Sequence, residues 1–386
     1  MSYLKKAATF GVVLGLTLAA SAASADVRIG FIGTLSGEAA ALGVDQLDAF
    51  KLALDENGGK LGGQKVTLYT ADDQLKPDVA IQQLNKLIFD DKAELITGVT
   101  FSNVMMAIAK PLADANMTFV GSNAGPAPLA GKQCNAGFFF TSWQNAQQAE
   151  VVGQYAKDKG YKNVFSIVPD YQSGREQVAG FKQYYGGPVT EDYTRLGQTD
   201  FSSELLKIAA AKPDALFVFE PGGMGVNFIK QYAQFGLKIP LLTVSTTDGT
   251  TLPAEGKAAI GALAGTFWGP DFKNPVSEKF VKDFEAKYGR VPSQYAAQSY
   301  DAALLIASAL KKTNGDVADK AAFRKALHAA DFDSLRGHFT FNVNGFPIQN
   351  FYMFEVVEGA DGKPALKTVA EPLKNNKDSY YKECPL

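Results

Sequence analysis

The feature that most constrains this chain is a repeated alternation of short apolar runs with longer amphipathic segments. VRIGFIG (27–33) is apolar, β-branched and ends in Gly, and the following stretch shows helical apolar spacing at Phe50, Leu52, Ala53 and Leu54. KVTLYTA (65–71) and VAIQQLNKLIF (79–89) repeat the pair. ELITGV, MTFVGS, NVFSIVP, ALFVFEP and PLLTVS are further buried-strand candidates, each followed by a helix-compatible segment. Apolar strands joined through helices predict largely parallel sheets with helices on both faces, an α/β fold of doubly wound, Rossmann-like units. The rhythm runs through two blocks, 26–142 and 143–271. Beyond them, helices are expected over 275–288, 295–313 and 320–330, and strands over 338–341 and 351–359. These late elements do not make a third core and are expected to return and complete the first two.

The first 25 residues stand apart. Lys5 and Lys6 precede an apolar run from Phe10 to Ala20, and Ala23-Ser24-Ala25 supplies small residues for cleavage after Ala25. That pattern predicts a secretory signal, since the run falls short of the ~20 residues a spanning helix needs. Lys and Arg total 38 against 40 Asp and Glu, scattered along the chain, so no nucleic-acid surface is expected. An exported chain with two cysteines, Cys134 and Cys384, favours a disulfide between them, with two buried free thiols as the alternative. Neither has a His or Cys neighbour at metal-ligand spacing, and no metal or other cofactor is expected.

Parallel sheets bind ligands beyond the carboxyl ends of their strands. After the first strand come Thr34 to Gly37, after ELITGV come Thr100 to Asn103, and after MTFV comes GSNAGP (121–126). The longer stretch VGSNAGPAPLAGK suggests a phosphate loop, but five residues separate Gly125 from Gly131, and Gln133 follows Lys132. A nucleotide loop needs four intervening residues and a Ser or Thr after the Lys. What remains is a small-residue loop beside Ser102, which precedes a helix and doubles as an N-cap candidate. A hydroxyl and free N–H groups at a helix N-terminus suit an anion.

In order along the chain, RIGFIGTLSGEAAALG, GGKLGGQKVTLYTADDQ, GVTFS, GSNAGPAPL, PDYQSG and GLKIPLL resemble the leucine/isoleucine/valine-binding class of periplasmic solute-binding proteins. These serve ABC importers, and the resemblance spans the whole chain after the signal. It implies two α/β lobes joined by three crossovers, 26–142 with 272–348 and 143–271 with 349–386, closing on a ligand between them. It implies a periplasmic monomer that carries a small carboxylate to an importer permease. Ser102 sits where the family's Ser holds the ligand carboxylate, Ala124 where a backbone N–H assists, and Tyr171 where an aromatic closes from the second lobe. Leu42, Phe101, Ser122, Asn123, Gly125, Trp143, Glu220, Pro221, Gly222, Ser245, Thr246 and Asp248 complete the candidate site.

The departures from the pattern bear on the ligand. A Thr usually follows the loop Ala in amino-acid binders, and here Gly125 and Pro126 follow it; where those binders place a Tyr after the LSG turn, Leu42 stands. The second-lobe acid that pairs with an α-ammonium falls at Ser245, with Asp248 the nearest carboxylate. A buried ammonium without a carboxylate partner is costly by several kcal/mol. Gly121, Gly125, Gly222 and Gly223 are expected to leave room for a bulkier flat ligand, walled by Phe101, Trp143 and Tyr171. The resemblance therefore points to the branch that takes aromatic carboxylates, benzoate-like or phenylpropanoid. A branched-chain amino-acid binder, with Asp248 or Glu220 taking the ammonium, is the alternative, as is a sensor module using the same cleft. Catalysis is not expected: His328 and His338 are the only histidines, and GxSxG and HExxH are absent. Asp72-Asp73 and Asp90-Asp91 read as solvated loop or helix-end charges.

Overall fold

A computed structural model describes residues 26–386; the expected signal segment lies outside the described residues. The first sheet runs β2 (Lys60–Leu61), β3 (Gln64–Asp72), β1 (Val27–Gly33), β4 (Leu95–Gly98), β5 (Thr118–Gly121), β6 (Phe138–Phe140), all parallel except the β2–β3 hairpin. The second runs β12 (Thr340–Phe341), β13 (Pro347–Glu358), β11 (Leu263–Thr266), β10 (Leu241–Thr243), β9 (Ala215–Val218), β7 (Val164–Pro169), β8 (Val189–Thr194), and β14 (Pro364–Asn376) pairs with β13. Its five strands β8, β7, β9, β10 and β11 are parallel, with β8 at the edge, and β13 pairs antiparallel with β11.

Both parallel sets have the same winding: the first strand of each lies between the second and the third. The strand order therefore reverses between β1 and β4 in one lobe and between β7 and β9 in the other. Those two crevices are where doubly wound sheets receive ligands. The central strands β4, β5, β7 and β9 are buried along their whole length, which is why they read as unbroken apolar runs.

Helices α1 (Ala40–Glu56), α2 (Pro77–Asn85), α3 (Ser102–Asp114) and α4 (Ala127–Ala130) connect the first sheet. Helices α5 (Gln147–Asp158), α6 (Gln172–Tyr185), α7 (Ser202–Ala211), α8 (Gly223–Phe235) and α9 (Leu252–Glu255) connect the second. The late helices α10 (Pro275–Tyr288), α11 (Gln294–Lys312) and α12 (Lys320–His328) return to the first lobe. Arg290, just before α11, bridges Asp45 and Asp48 of α1 at 3.0 and 2.6 Å, and the Tyr300 ring of α11 packs 4.7 Å from Phe280 of α10. The expected strand over 338–341 shrinks to two residues, and β14 is an element the reading did not foresee. Asp73 is also not a solvated charge: it is fully buried and accepts from the Thr34 hydroxyl at 2.6 Å, holding the turn after β1.

Three segments cross between the lobes, after β6, after β11 and along β13. Phe346 stacks on Phe140 of the first sheet at 4.1 Å, while Met353 to Glu355 pair with β11 of the second. Arg336 gathers all three crossings. Its guanidinium pairs with buried Asp301 of α11 at 3.0 Å and donates to the carbonyls of Thr141 and Ser142 in the first. It donates to Gln349 Oε1 in the third at 2.5 Å and lies 4.2 Å from the Phe267 ring in the second.

Cys134, just after α4, and Cys384, beyond β14, are joined by a disulfide across 250 residues of sequence. The closed loop is long, so removing the link by the paired change Cys134→Ser and Cys384→Ser should lower stability by about 2–4 kcal/mol. Denaturant unfolding of the two forms measures the difference. Thiol titration of unfolded, unreduced protein should find no reactive cysteine.

Candidate functional site

A cavity lies between the lobes at the two crevices where strand order reverses. Its walls come from the carboxyl ends of the strands. Leu42 belongs to α1 after β1; Thr100, Phe101 and Ser102 follow β4; Asn123 and Ala124 follow β5. From the second lobe come Tyr171 after β7, Ser173 and Gln177 in α6, Phe219 and Pro221 after β9, and Ser245 after β10. Trp143 and Asn145 enter from the first crossover and Tyr295 from the first turn of α11.

One end of the cavity is a donor cluster. Ser102 is the first residue of α3 rather than its N-cap; that place falls to Phe101, whose side chain makes no cap hydrogen bond. The first-turn N–H groups of α3 lack intrahelical partners, and the positive pole of the helix lies at this end. The Ser102 hydroxyl oxygen accepts from Asn145 Nδ2 at 2.9 Å, which leaves its own proton to donate elsewhere. The neighbouring loop differs from expectation. The Ala124 N–H donates to the Val99 carbonyl at 3.1 Å and the Gly125 N–H to Asn145 Oδ1 at 3.2 Å, so both backbone donors are engaged within the protein.

The walls are aromatic. Phe101 and Tyr171 face one another across the lobes with ring centres 6.2 Å apart, and Tyr171 stacks on Phe219 at 6.2 Å and 17°. Trp143 is backed by Phe267 at 5.4 Å. Burial pushes the Tyr171 and Tyr295 hydroxyls well above their ordinary range, so both are neutral donors at any physiological pH.

The far end is polar but uncharged. The Ser245 hydroxyl donates to Gln148 Oε1 at 3.0 Å and accepts from Gln294 Nε2 at 3.0 Å, and Gln148 and Gln294 bond one another at 2.7 Å. Gln177 is almost fully buried, and its Oε1 has no partner within the protein.

Of the residues expected from sequence, Leu42, Phe101, Ser102, Asn123, Ala124, Trp143, Tyr171, Pro221 and Ser245 line this cavity. Six do not. Ser122 is turned behind the loop, bonding Gln46 Oε1 at 3.1 Å. Gly125 lies too close to other backbone to form a wall: a Cβ there would stand 1.9 Å from the Trp143 carbonyl oxygen. Gly222 lies against the other lobe, where a Cβ would stand 2.9 Å from Leu42 Cδ1. Thr246 is spent holding the Glu220 N–H at 2.8 Å. Glu220 points at the Thr194 hydroxyl, 2.6 Å away, and Asp248 caps its own turn through the Thr250 N–H and hydroxyl at 2.7 and 2.6 Å. The expectation that four glycines leave room for the ligand is likewise overturned. Gly121 abuts Phe140 and Gly223 abuts Glu38, so the space is filled by protein.

Thr100, Asn145, Ser173, Gln177, Phe219 and Tyr295 line the cavity without having been expected there. Phe219 was open to the strand-end rule, because it directly follows β9. Asn145 and Tyr295 belong to segments that reach the cleft only through the crossovers, and no local pattern marks them.

A family model described as periplasmic binding protein matches residues 26–363. The chain belongs to the periplasmic binding protein family. Members are exported solute receptors of ABC importers, delivering small molecules to a permease, and are not enzymes. Among curated relatives of this periplasmic binding protein is the Leu/Ile/Val-binding protein homolog 6 of Brucella melitensis, 29% identical over 90% of this chain and 92% of that one. Among solved structures, an R. palustris solute-binding protein in complex with benzoate is 32% identical with TM-score 0.89, covering 94% of this chain and 100% of that one. A second, from Rhodopseudomonas palustris BisB5 in complex with 3,4-dihydroxybenzoic acid, is 28% identical with TM-score 0.84, covering 92% and 99%.

Several acids of this periplasmic binding protein are buried outside the cavity wall. Burial pushes Glu220 and Glu255 up to about 8, Glu150 to about 7 and Asp248 to about 6. In the unfolded chain these carboxyls ionise near their ordinary values of about 4. The folded protein therefore holds protons that the unfolded chain releases, and stability present at low pH is lost as pH rises towards about 8. The melting temperature should be higher at pH 5 than at pH 8.5. Glu220→Gln should raise it at pH 8.5 and leave it nearly unchanged at pH 5, which a thermal melt at each pH reads directly.

Proposed function

We propose that this solute receptor captures an aromatic carboxylate of the benzoate or phenylpropanoid kind and hands it to its importer. The observation that carries the reading is the far end of the cavity. The position where an amino-acid receptor of this class places a carboxylate for the ligand's ammonium is Ser245, held in a neutral network with Gln148 and Gln294. Glu220 and Asp248 are turned to Thr194 and Thr250, outside the cavity wall. An ammonium placed here would lose its water without gaining a counter-charge.

In this reading the Ser102 hydroxyl and the first turn of α3 hold the ligand carboxylate, with the Ala124–Gly125 loop packed beside it. Phe101, Tyr171, Phe219 and Trp143 sandwich the ring, and Leu42 and Pro221 close its edges. Gln177 Oε1 is an acceptor suited to a ring hydroxyl. The two solved relatives that carry benzoate and 3,4-dihydroxybenzoic acid support the ligand class. The lobes, 26–142 with 272–348 and 143–271 with 349–386, would close because such a ligand touches Phe101 and Tyr171 at once, and only ligands contacting both can favour closure.

A thermal-shift panel of benzoate, hydroxybenzoates, hydroxycinnamates, leucine, isoleucine, valine and phenylalanine tests this, since a true ligand stabilises the folded state by mass action. Aromatic acids should raise the melting temperature and the amino acids should not; the reverse result refutes the proposal. A hydrogen bond to a charged group contributes about 1.5–3 kcal/mol. Ser102→Ala should therefore weaken the best ligand about tenfold to a hundredfold by calorimetry, and Ser245→Ala much less.

A further inference from the structure

Behind Ser102 runs a chain of hydrogen bonds that none of the site's ligand contacts requires. Asn145, on the first crossover, gives one amide proton to the Ser102 hydroxyl oxygen at 2.9 Å and the other to Glu176 Oε2 at 2.8 Å. Its Oδ1 accepts the Gly125 N–H at 3.2 Å. Glu176 belongs to α6 of the second lobe, and both its oxygens accept from the Ala127 N–H of the first lobe, at 2.9 and 3.1 Å. Gln144 and Gln172 also donate to it, and the carboxylate is 6% exposed.

The partners on either side of Asn145 leave its amide one orientation. A backbone N–H can only donate, so it must face the oxygen; a carboxylate can only accept, so it must face the nitrogen. The nitrogen then has a single remaining proton, and that proton is aimed at Ser102. A hydroxyl that accepts there has its own proton turned away, towards the cavity.

We propose that Asn145 and Glu176 are positioning residues that set the polarity of the Ser102 hydroxyl, making it a donor to the ligand carboxylate. This rests on the carboxylate reading of the site. Because Glu176 comes from the second lobe and Ala127 from the first, the chain is completed when the lobes meet, so closure and the readiness of Ser102 are one event. Without Glu176 the second amide proton of Asn145 loses its acceptor, and only the 3.2 Å contact with the Gly125 N–H still holds the amide in the orientation that serves Ser102.

The test is a double-mutant cycle read by calorimetry with benzoate as the probe, on the whole exported chain. Ser102→Ala is measured in the wild-type, Asn145→Ala and Glu176→Gln backgrounds. In wild type the loss should be tenfold to a hundredfold; in either variant background it should shrink to about threefold or less, because the hydroxyl is no longer held as a donor. A residue that only supports the fold would leave the Ser102 effect unchanged, and equal losses in all three backgrounds overturn the proposal. Should Asn145→Ala fail to fold, Asn145→Asp, which sets only acceptors beside Ser102, takes its place. Wild-type protein that binds neither benzoate nor any other aromatic acid of the panel removes the functional reading itself, and this proposal with it.

Discussion

The structure depends on one buried cation. Arg336 has a side chain 5% exposed, and the Asp301 carboxylate beside it is fully buried. Removing one partner from such a pair costs about 3–5 kcal/mol, because the other is left charged without water. The remaining guanidinium protons are what give the pair its architectural meaning. They reach the first and third strands of the hinge, while the flat face of the group rests on Phe267 of the second. Three separate stretches of chain are thus held at one point.

A second constraint follows from putting a polar cleft between two apolar cores. The acids nearest the cleft are either turned to a single threonine hydroxyl, as Glu220 and Asp248 are, or given backbone and amide donors, as Glu176 is. What remains exposed to the cavity is a set of hydroxyls, amides and rings. That surface has one positive pole, at the start of α3, and no negative one. The preference for anions that we propose would arise from the placement of neutral groups rather than from a basic side chain.

Much of the fold was legible because parallel sheets buried on both faces leave long apolar strands that are hard to mistake. The strand-end rule then located Ser102 and the loop after β5 at the cavity, and the family resemblance added Tyr171 and Ser245. It failed where a residue's meaning depends on what stands opposite. Gly222 is small because Leu42 of the other lobe lies against it, and Gly125 because the Trp143 carbonyl does; neither neighbour is near in sequence. Ala124 was expected to offer its N–H, but the turn after β4 brings the Val99 carbonyl within reach first. Tyr295 and Asn145 arrive through the crossovers, so their place is set by tertiary geometry and by no local periodicity.

The link between Cys134 and Cys384 has a consequence for how such a chain is made. Its two halves are separated by 250 residues of sequence. A polypeptide that crosses a membrane amino end first presents Cys134 to the oxidising side long before its partner follows. The early thiol must stay unpaired, or pair reversibly, until Cys384 has passed. Nearly every strand and helix between them has by then had the opportunity to form. Closure of the bond is therefore a late event in biogenesis: a chain ended before Cys384 would carry an unpaired thiol at Cys134.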